Sequence, residues 1–117
     1  MVNKSLVYKK AYSFAIKIIR VYKNLQNDKE YVLSKQLLRS GTSVGANIAE
    51  ANGAISDADF SAKISIAYKE ILETKYWLSL LIDTEYLDKN LFDELHAEAD
   101  EIAKILFSIL KTTRINK

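Results

Sequence analysis

The residues best suited to metal or acid–base chemistry in this sequence are His96 and the carboxylates Glu50, Glu70 and Glu73. A di-metal centre inside a helical bundle takes a Glu-x-x-His pair from each of two helices and two further carboxylates. Here there is one histidine, and the residue three before it is Asp93. One imidazole cannot fill a two-histidine site, so His96 reads as a partly exposed surface residue beside a helix seam. With no cysteine there is no thiolate ligand, disulfide or sulfur nucleophile. No nucleophile–base arrangement and no glycine-rich phosphate cradle can be found either. The expectation is a protein with no catalytic residues, no cofactor and no metal. A carboxylate site for a ligand or metal, built on Glu50, Glu70 and Glu73, is the least favoured alternative.

A row of polar residues stands out more. Arg39, Ser43, Asn47 and Glu50 are spaced 4, 4 and 3, which puts them on one helix face. Gly41, Gly45 and Ala49, each four apart, make a stripe of small residues that is expected close to that face. Such a stripe lets a neighbouring helix approach closely. Glu70 and Glu73 share a face on the following helix. Polar groups beside a tight seam must find partners or bear the cost of desolvation. An inter-helix hydrogen-bond network, with Arg39 on a carboxylate and reaching across subunits if need be, is therefore the structural reading; a ligand site is the functional one.

These residues are held by helices. The chain of 117 residues has no proline and three glycines, with 49% hydrophobic and 27% charged residues, a globular composition lacking the turn residues of a strand-rich fold. Apolar periodicity places helices at about 4–25, 29–52, 57–83 and 88–112. In the first, Ala11, Phe14, Ile18, Val21 and Leu25 form the core seam, and Tyr8, Tyr12, Ala15, Ile19 and Tyr22 form a second seam beside it. That surplus suggests a helix packed on two sides, the second side belonging to another subunit. Asp28, Ser56 and Asp88 are the expected N-caps, and Gly53 the residue closing the second helix. A break at Ser40-Gly41 is the minor alternative. Short connections between helices of similar length imply an all-α, antiparallel up-down-up-down four-helix bundle forming one domain.

Charge is uneven although the net is only +2. Residues 1–27 carry Lys4, Lys9, Lys10, Lys17, Arg20 and Lys23 and no acid; residues 88–101 carry six acids against Lys89. In an up-down bundle the first and last helices run antiparallel. Lys17, Arg20 and Lys23 then lie beside the acidic start of the last helix and are neutralised there. Lys4, Lys9 and Lys10 meet Lys111 and Arg114 instead, the best candidate patch for the phosphates of RNA or DNA. Nothing resembles a signal peptide or a membrane span, so a cytoplasmic protein is expected.

The run Gln36-Leu37-Leu38-Arg39-Ser40-Gly41-Thr42-Ser43-Val44-Gly45-Ala46-Asn47-Ile48-Ala49-Glu50-Ala51 resembles the signature of the 23S rRNA intervening-sequence proteins, also called four-helix bundle proteins. Phe60 to Leu78, with Ala67, Glu70, Glu73 and Tyr76-Trp77-Leu78, is similar to that family's third helix, and Tyr8 to Val21 to its first. The sequence departs from the pattern at Gly45, where proline is frequent, at Ala51, where glycine is usual, and at Tyr68-Lys69, where a small Gly-Ser pair is common. The resemblance implies a bundle assembling into a ring, typically a homopentamer, without established enzymatic activity. It also implies a relation to the accessory proteins of diversity-generating retroelements, which engage nucleic acid. The functional expectation is a non-enzymatic oligomeric module that binds nucleic acid, or else a scaffold for protein partners that does not.

Overall fold

In a computed structural model describing residues 4–115, with side chains described from 6 to 113, four helices follow one another: α1 (Lys4–Asn27), α2 (Leu33–Asn52), α3 (Asp57–Asp83) and α4 (Lys89–Ile115). Each packs on its chain neighbours, α4 also packs on α1, and among the described residues no diagonal pair of helix backbones comes close, so the four form a square bundle. All four seams run antiparallel. Ile18 meets Gly41 and Ala11 meets Gly45 across α1/α2. Ser40 meets Thr74 across α2/α3, Lys75 meets Asp100 across α3/α4, and Lys10 and Lys17 meet Glu101 and Glu94 across α1/α4.

The core is the set of residues that periodicity places inside. Ala11, Phe14, Ile18, Val21 and Leu25 are at most 3% exposed. Leu37, Val44, Ile48, Ile64, Ile71, Leu78, Leu95, Ile102 and Leu106 join them in one continuous cluster. Phe60 and Phe92 are only partly buried and pack on its edge. The second seam of α1 faces outward: Tyr12 is 58% exposed and Ile19 38%.

Boundaries differ from expectation mainly at α2, which begins at Leu33 rather than near residue 29. Asp28 is not its cap. Lys29 adopts a left-handed conformation, φ 64°. The Glu30 N–H donates to the Leu25 carbonyl and the Lys29 N–H to that of Gln26, the Schellman arrangement that closes α1. The Glu30 side chain then folds forward to cap α2, accepting from the N–H groups of Ser34 (2.6 Å), Leu33 (3.1 Å) and Val32 (3.3 Å). Gln26 secures the corner from α1 by donating to Ser34 Oγ at 2.9 Å. Glu85, φ 68°, repeats the closure after α3: its N–H donates to the Ile82 carbonyl and that of Tyr86 to Leu81.

Ser56 and Asp88 do cap α3 and α4, accepting from the N–H groups of Asp59 at 3.0 Å and Leu91 at 2.8 Å. Gly53 follows α2 but is not left-handed, with φ −101°. There is no break at Ser40-Gly41; α2 is continuous there. Its glycines serve packing instead. A Cβ on Gly41 would lie 2.9 Å from Ile18 Cγ2, whereas one on Gly45 would meet Ala11 at an ordinary contact distance, 3.7 Å from its methyl and 3.8 Å from its backbone.

Candidate functional site: polar seams and open faces

Of the motif residues of α2, Arg39 and Glu50 meet α3. Arg39 spans the seam, donating from Nη1 to Glu70 Oε1 at 3.2 Å and from Nη2 to Glu73. Gln36 Oε1 accepts from Arg39 Nε, and Glu73 also accepts from the Trp77 indole N–H at 2.9 Å. The expected Arg39–carboxylate network is thus present, but not buried: the Arg39 side chain is 46% exposed. Ser43 and Asn47 do not cross the seam. The Ser43 hydroxyl donates to the Arg39 carbonyl and the Asn47 amide to the Ser43 carbonyl, each four residues back on the same helix. Glu50 pairs with Lys63 at 2.8 Å, one end apart from Arg39.

The small-residue stripe, expected close to this polar face, lies on the opposite flank of α2, against α1. Gly41 and Gly45 face α1 while Arg39, Ser43, Asn47 and Glu50 edge α3. The separation removes the desolvation problem that the sequence posed. The buried polar contact of the seam is one that sequence reasoning missed, Ser40 with Thr74. Their hydroxyl oxygens are 3.0 Å apart, both residues fully buried. Carbonyls of the two helices complete the cluster, that of Glu70 at 2.7 Å from the Thr74 hydroxyl and that of Leu37 at 3.4 Å from the Ser40 hydroxyl. Only the position of Ser40 and Thr74 among core periodicities could have signalled it.

The α1/α4 seam is a charge ladder. Lys10 pairs with Glu101 at 3.1 Å, and Lys17 with Glu94 at 2.8 Å and with Glu98. Hydrogen bonds that Lys17 donates to Glu94, and then to Glu98, hold its ammonium above its ordinary pKa. Neutralisation along this seam therefore covers Lys17 as expected, but also Lys10 and neither Arg20 nor Lys23, which have no acidic partner among the described residues. Lys10 was expected in the basic patch; its pairing with Glu101 removes it. Lys9 and Lys111 are exposed and have no acidic partner among the described residues. The side chains of Lys4 and Arg114 lie outside the described residues. On α3/α4, Lys75 and Lys104 flank Asp100 and, Lys75 first, hold its carboxyl below the usual range.

His96 is half-buried and stacks on Phe92, ring centroids 5.2 Å apart, while Asp93 is engaged by Lys89 at 2.7 Å. Among the described residues no group of three or more His, Cys, Asp or Glu side chains could hold a metal ion, and no helix is long and apolar enough to cross a membrane.

The architecture and its ion pairs define an antiparallel four-helix bundle braced by charged contacts across its α1/α4, α2/α3 and α3/α4 seams. The family model of the 23S rRNA-intervening sequence protein matches residues 3–108, and the chain belongs to that family. A crystal structure of a protein of unknown function from the S23 ribosomal protein family of Bacteroides thetaiotaomicron superposes with a TM-score of 0.90 at 50% identity, covering 92% of this chain and 97% of that one. No curated protein matches the chain.

Proposed function

We propose that this protein is a non-enzymatic module that works by self-association, as a homo-oligomer. One observation carries the reading: an uncharged apolar strip faces outward along α1 and α2. Tyr12, Ile16 and Ile19 are 58%, 38% and 38% exposed, beside half-buried Tyr8, Ala15 and Tyr22. From α2, Leu38, Thr42, Gly45 and Ala49 continue the surface without a charge. Scattered exposed apolar residues are ordinary, but a contiguous uncharged strip marks an interaction site. The Arg39 and Lys17 clusters, by contrast, hold helices together across their seams. Light scattering on the purified protein at micromolar concentration tests the proposal. A mass well above one chain is expected; the mass of a single chain overturns it.

Nucleic-acid binding is a second reading, favoured by Lys9 and Lys111, exposed and without acidic partners among the described residues. Repetition of these two cations in an oligomer would multiply a weak affinity. A fluorescent structured RNA and a duplex DNA are titrated at low and near-physiological salt. Binding that falls steeply with salt and weakens in Lys9→Gln and Lys111→Gln variants supports it. No binding at low salt leaves a scaffold for protein partners.

A further inference from the structure

Of the asparagines in the chain, only Asn52 is followed by glycine. An asparagine side chain is open to attack by the backbone nitrogen of the next residue. A side chain on that next residue crowds the attack, and glycine has none. The pair sits where α2 ends: Asn52 is the last residue of the helix, and both Asn52 and Gly53 are exposed. The Asn52 side-chain amide makes no hydrogen bond to the protein among the described residues. Asn47, by contrast, donates to the Ser43 carbonyl and precedes the branched Ile48.

The fold itself does not call for a glycine there. Gly53 has φ −101°, a conformation open to other residues, and a Cβ on it would meet the Glu50 carbonyl oxygen at 3.7 Å, an ordinary contact. The Gly53 N–H donates to that same carbonyl at 3.1 Å, three residues back. Such a bond closes the last turn of a helix, the part that opens at least cost. Once the turn opens, the Gly53 nitrogen can swing onto Asn52 Cγ. We infer that Asn52 is a site of self-modification, where the folded chain deamidates through a cyclic imide closed by the Gly53 nitrogen. This goes beyond the self-association proposed above and does not depend on it.

The reaction consumes only water. The Gly53 nitrogen gives up its proton and bonds to Asn52 Cγ; the Cγ–Nδ2 bond breaks, and ammonia leaves carrying that proton. Water then opens the imide at one of its two carbonyls. Opening at Cγ leaves aspartate; opening at the backbone carbonyl leaves isoaspartate, with the main chain rerouted through the side chain. Either product replaces a neutral amide by a carboxylate. That charge lies at the negative end of the α2 dipole and two residues from Glu50, so it loosens the last turn of the helix. Asn52 also follows Leu38, Thr42, Gly45 and Ala49 at spacings of 4, 3, 4 and 3, so the conversion places a charge at one end of the uncharged strip.

The test holds the full-length protein for weeks at neutral and at mildly alkaline pH, then maps its peptides by chromatography and mass spectrometry. Conversion at Asn52 is expected ahead of every other asparagine, faster at the higher pH, with isoaspartate the larger product. Isoaspartate marks the imide, since direct hydrolysis of the amide gives aspartate alone. Gly53→Ala is expected to slow the conversion by about tenfold or more, and helical circular dichroism matching the wild type checks that it folds. The same chain unfolded in guanidinium chloride supplies the rate without structure. Asn52 that stays intact in the folded protein while the unfolded chain converts overturns the inference, because the last turn then shields the site. Aspartate without isoaspartate, or Gly53→Ala converting as fast as the wild type, overturns the route through the Gly53 nitrogen.

Discussion

Arg39 shows what residue types and spacing reveal and what they omit. Its place in a polar row, with Glu70 and Glu73 one helix on, made an inter-helix ion pair legible from the sequence. Its burial was not legible, because the rotation of α2 decides which flank is covered, and that rotation is set by where Gly41 can touch Ile18. Being 46% exposed, the Arg39 cluster is worth a surface network's energy. Arg39→Ala is expected to cost about 0.5–1 kcal/mol in denaturant unfolding of the monomeric form. The two glycines of α2 separate in the same way. At Gly45 a methyl fits in ordinary contact with Ala11, so Gly45→Ala gains helix propensity and raises stability by about 0.5–1 kcal/mol. At Gly41 the same methyl collides with the branched Ile18, and overpacking of about 1–3 kcal/mol outweighs the gain. Opposite signs in thermal unfolding are the expected result. Periodicity assigns both glycines to one stripe; only the distance to the partner tells them apart.

At the scale of elements, the helices themselves were legible almost to the residue in α3, where Ser56 caps as its type predicts. The start of α2 was not, because its cap is Glu30, a residue type seldom used as one. Burial alone would push the Glu30 carboxyl up, but the N–H groups of Ser34, Leu33 and Val32 outweigh this and hold its pKa below the ordinary range. A depressed folded value means that the stabilisation is complete above the ordinary carboxylate range and is lost as pH falls through the folded value. Glu30→Gln should therefore lower stability by about 1 kcal/mol near neutral pH and make the loss of stability below about pH 4 shallower, as followed by unfolding across a pH series. The two Schellman closures were invisible for a related reason: Lys29 and Glu85 occupy positions where glycine is usual. Lys29→Gly and Glu85→Gly each remove a strained left-handed side chain and should raise the melting temperature, by up to about 1 kcal/mol of stability apiece.

For the whole molecule, the family motif and the up-down order were readable, since short loops and four similar apolar periods admit little else. Which charges would cancel was readable only in part. The antiparallel register places Lys10 level with Glu101, about three turns before the basic end of α4 at Lys111. The seams also differ in intimacy: α2 and α3 interlock most, α1 and α4 least. Native-state hydrogen exchange is expected to reflect this, with the slowest amides in the middle of α2 and α3 around Ser40 and Thr74. Faster exchange there than in α1 or α4 would show that the charge ladder binds more tightly than the packed seam.

The ladder has a consequence for how the chain is made. Three of the four seams join helices adjacent along the chain, and can form as soon as each hairpin emerges during synthesis. The α1/α4 seam alone joins residues 77 to 91 positions apart, and must wait for the last helix. Until then the nascent three-helix intermediate carries an open apolar slot, bordered on α1 by lysines whose glutamates have not yet been translated. Those lysines keep the slot's rim charged and soluble while it stands open, and their attraction guides the late helix into it.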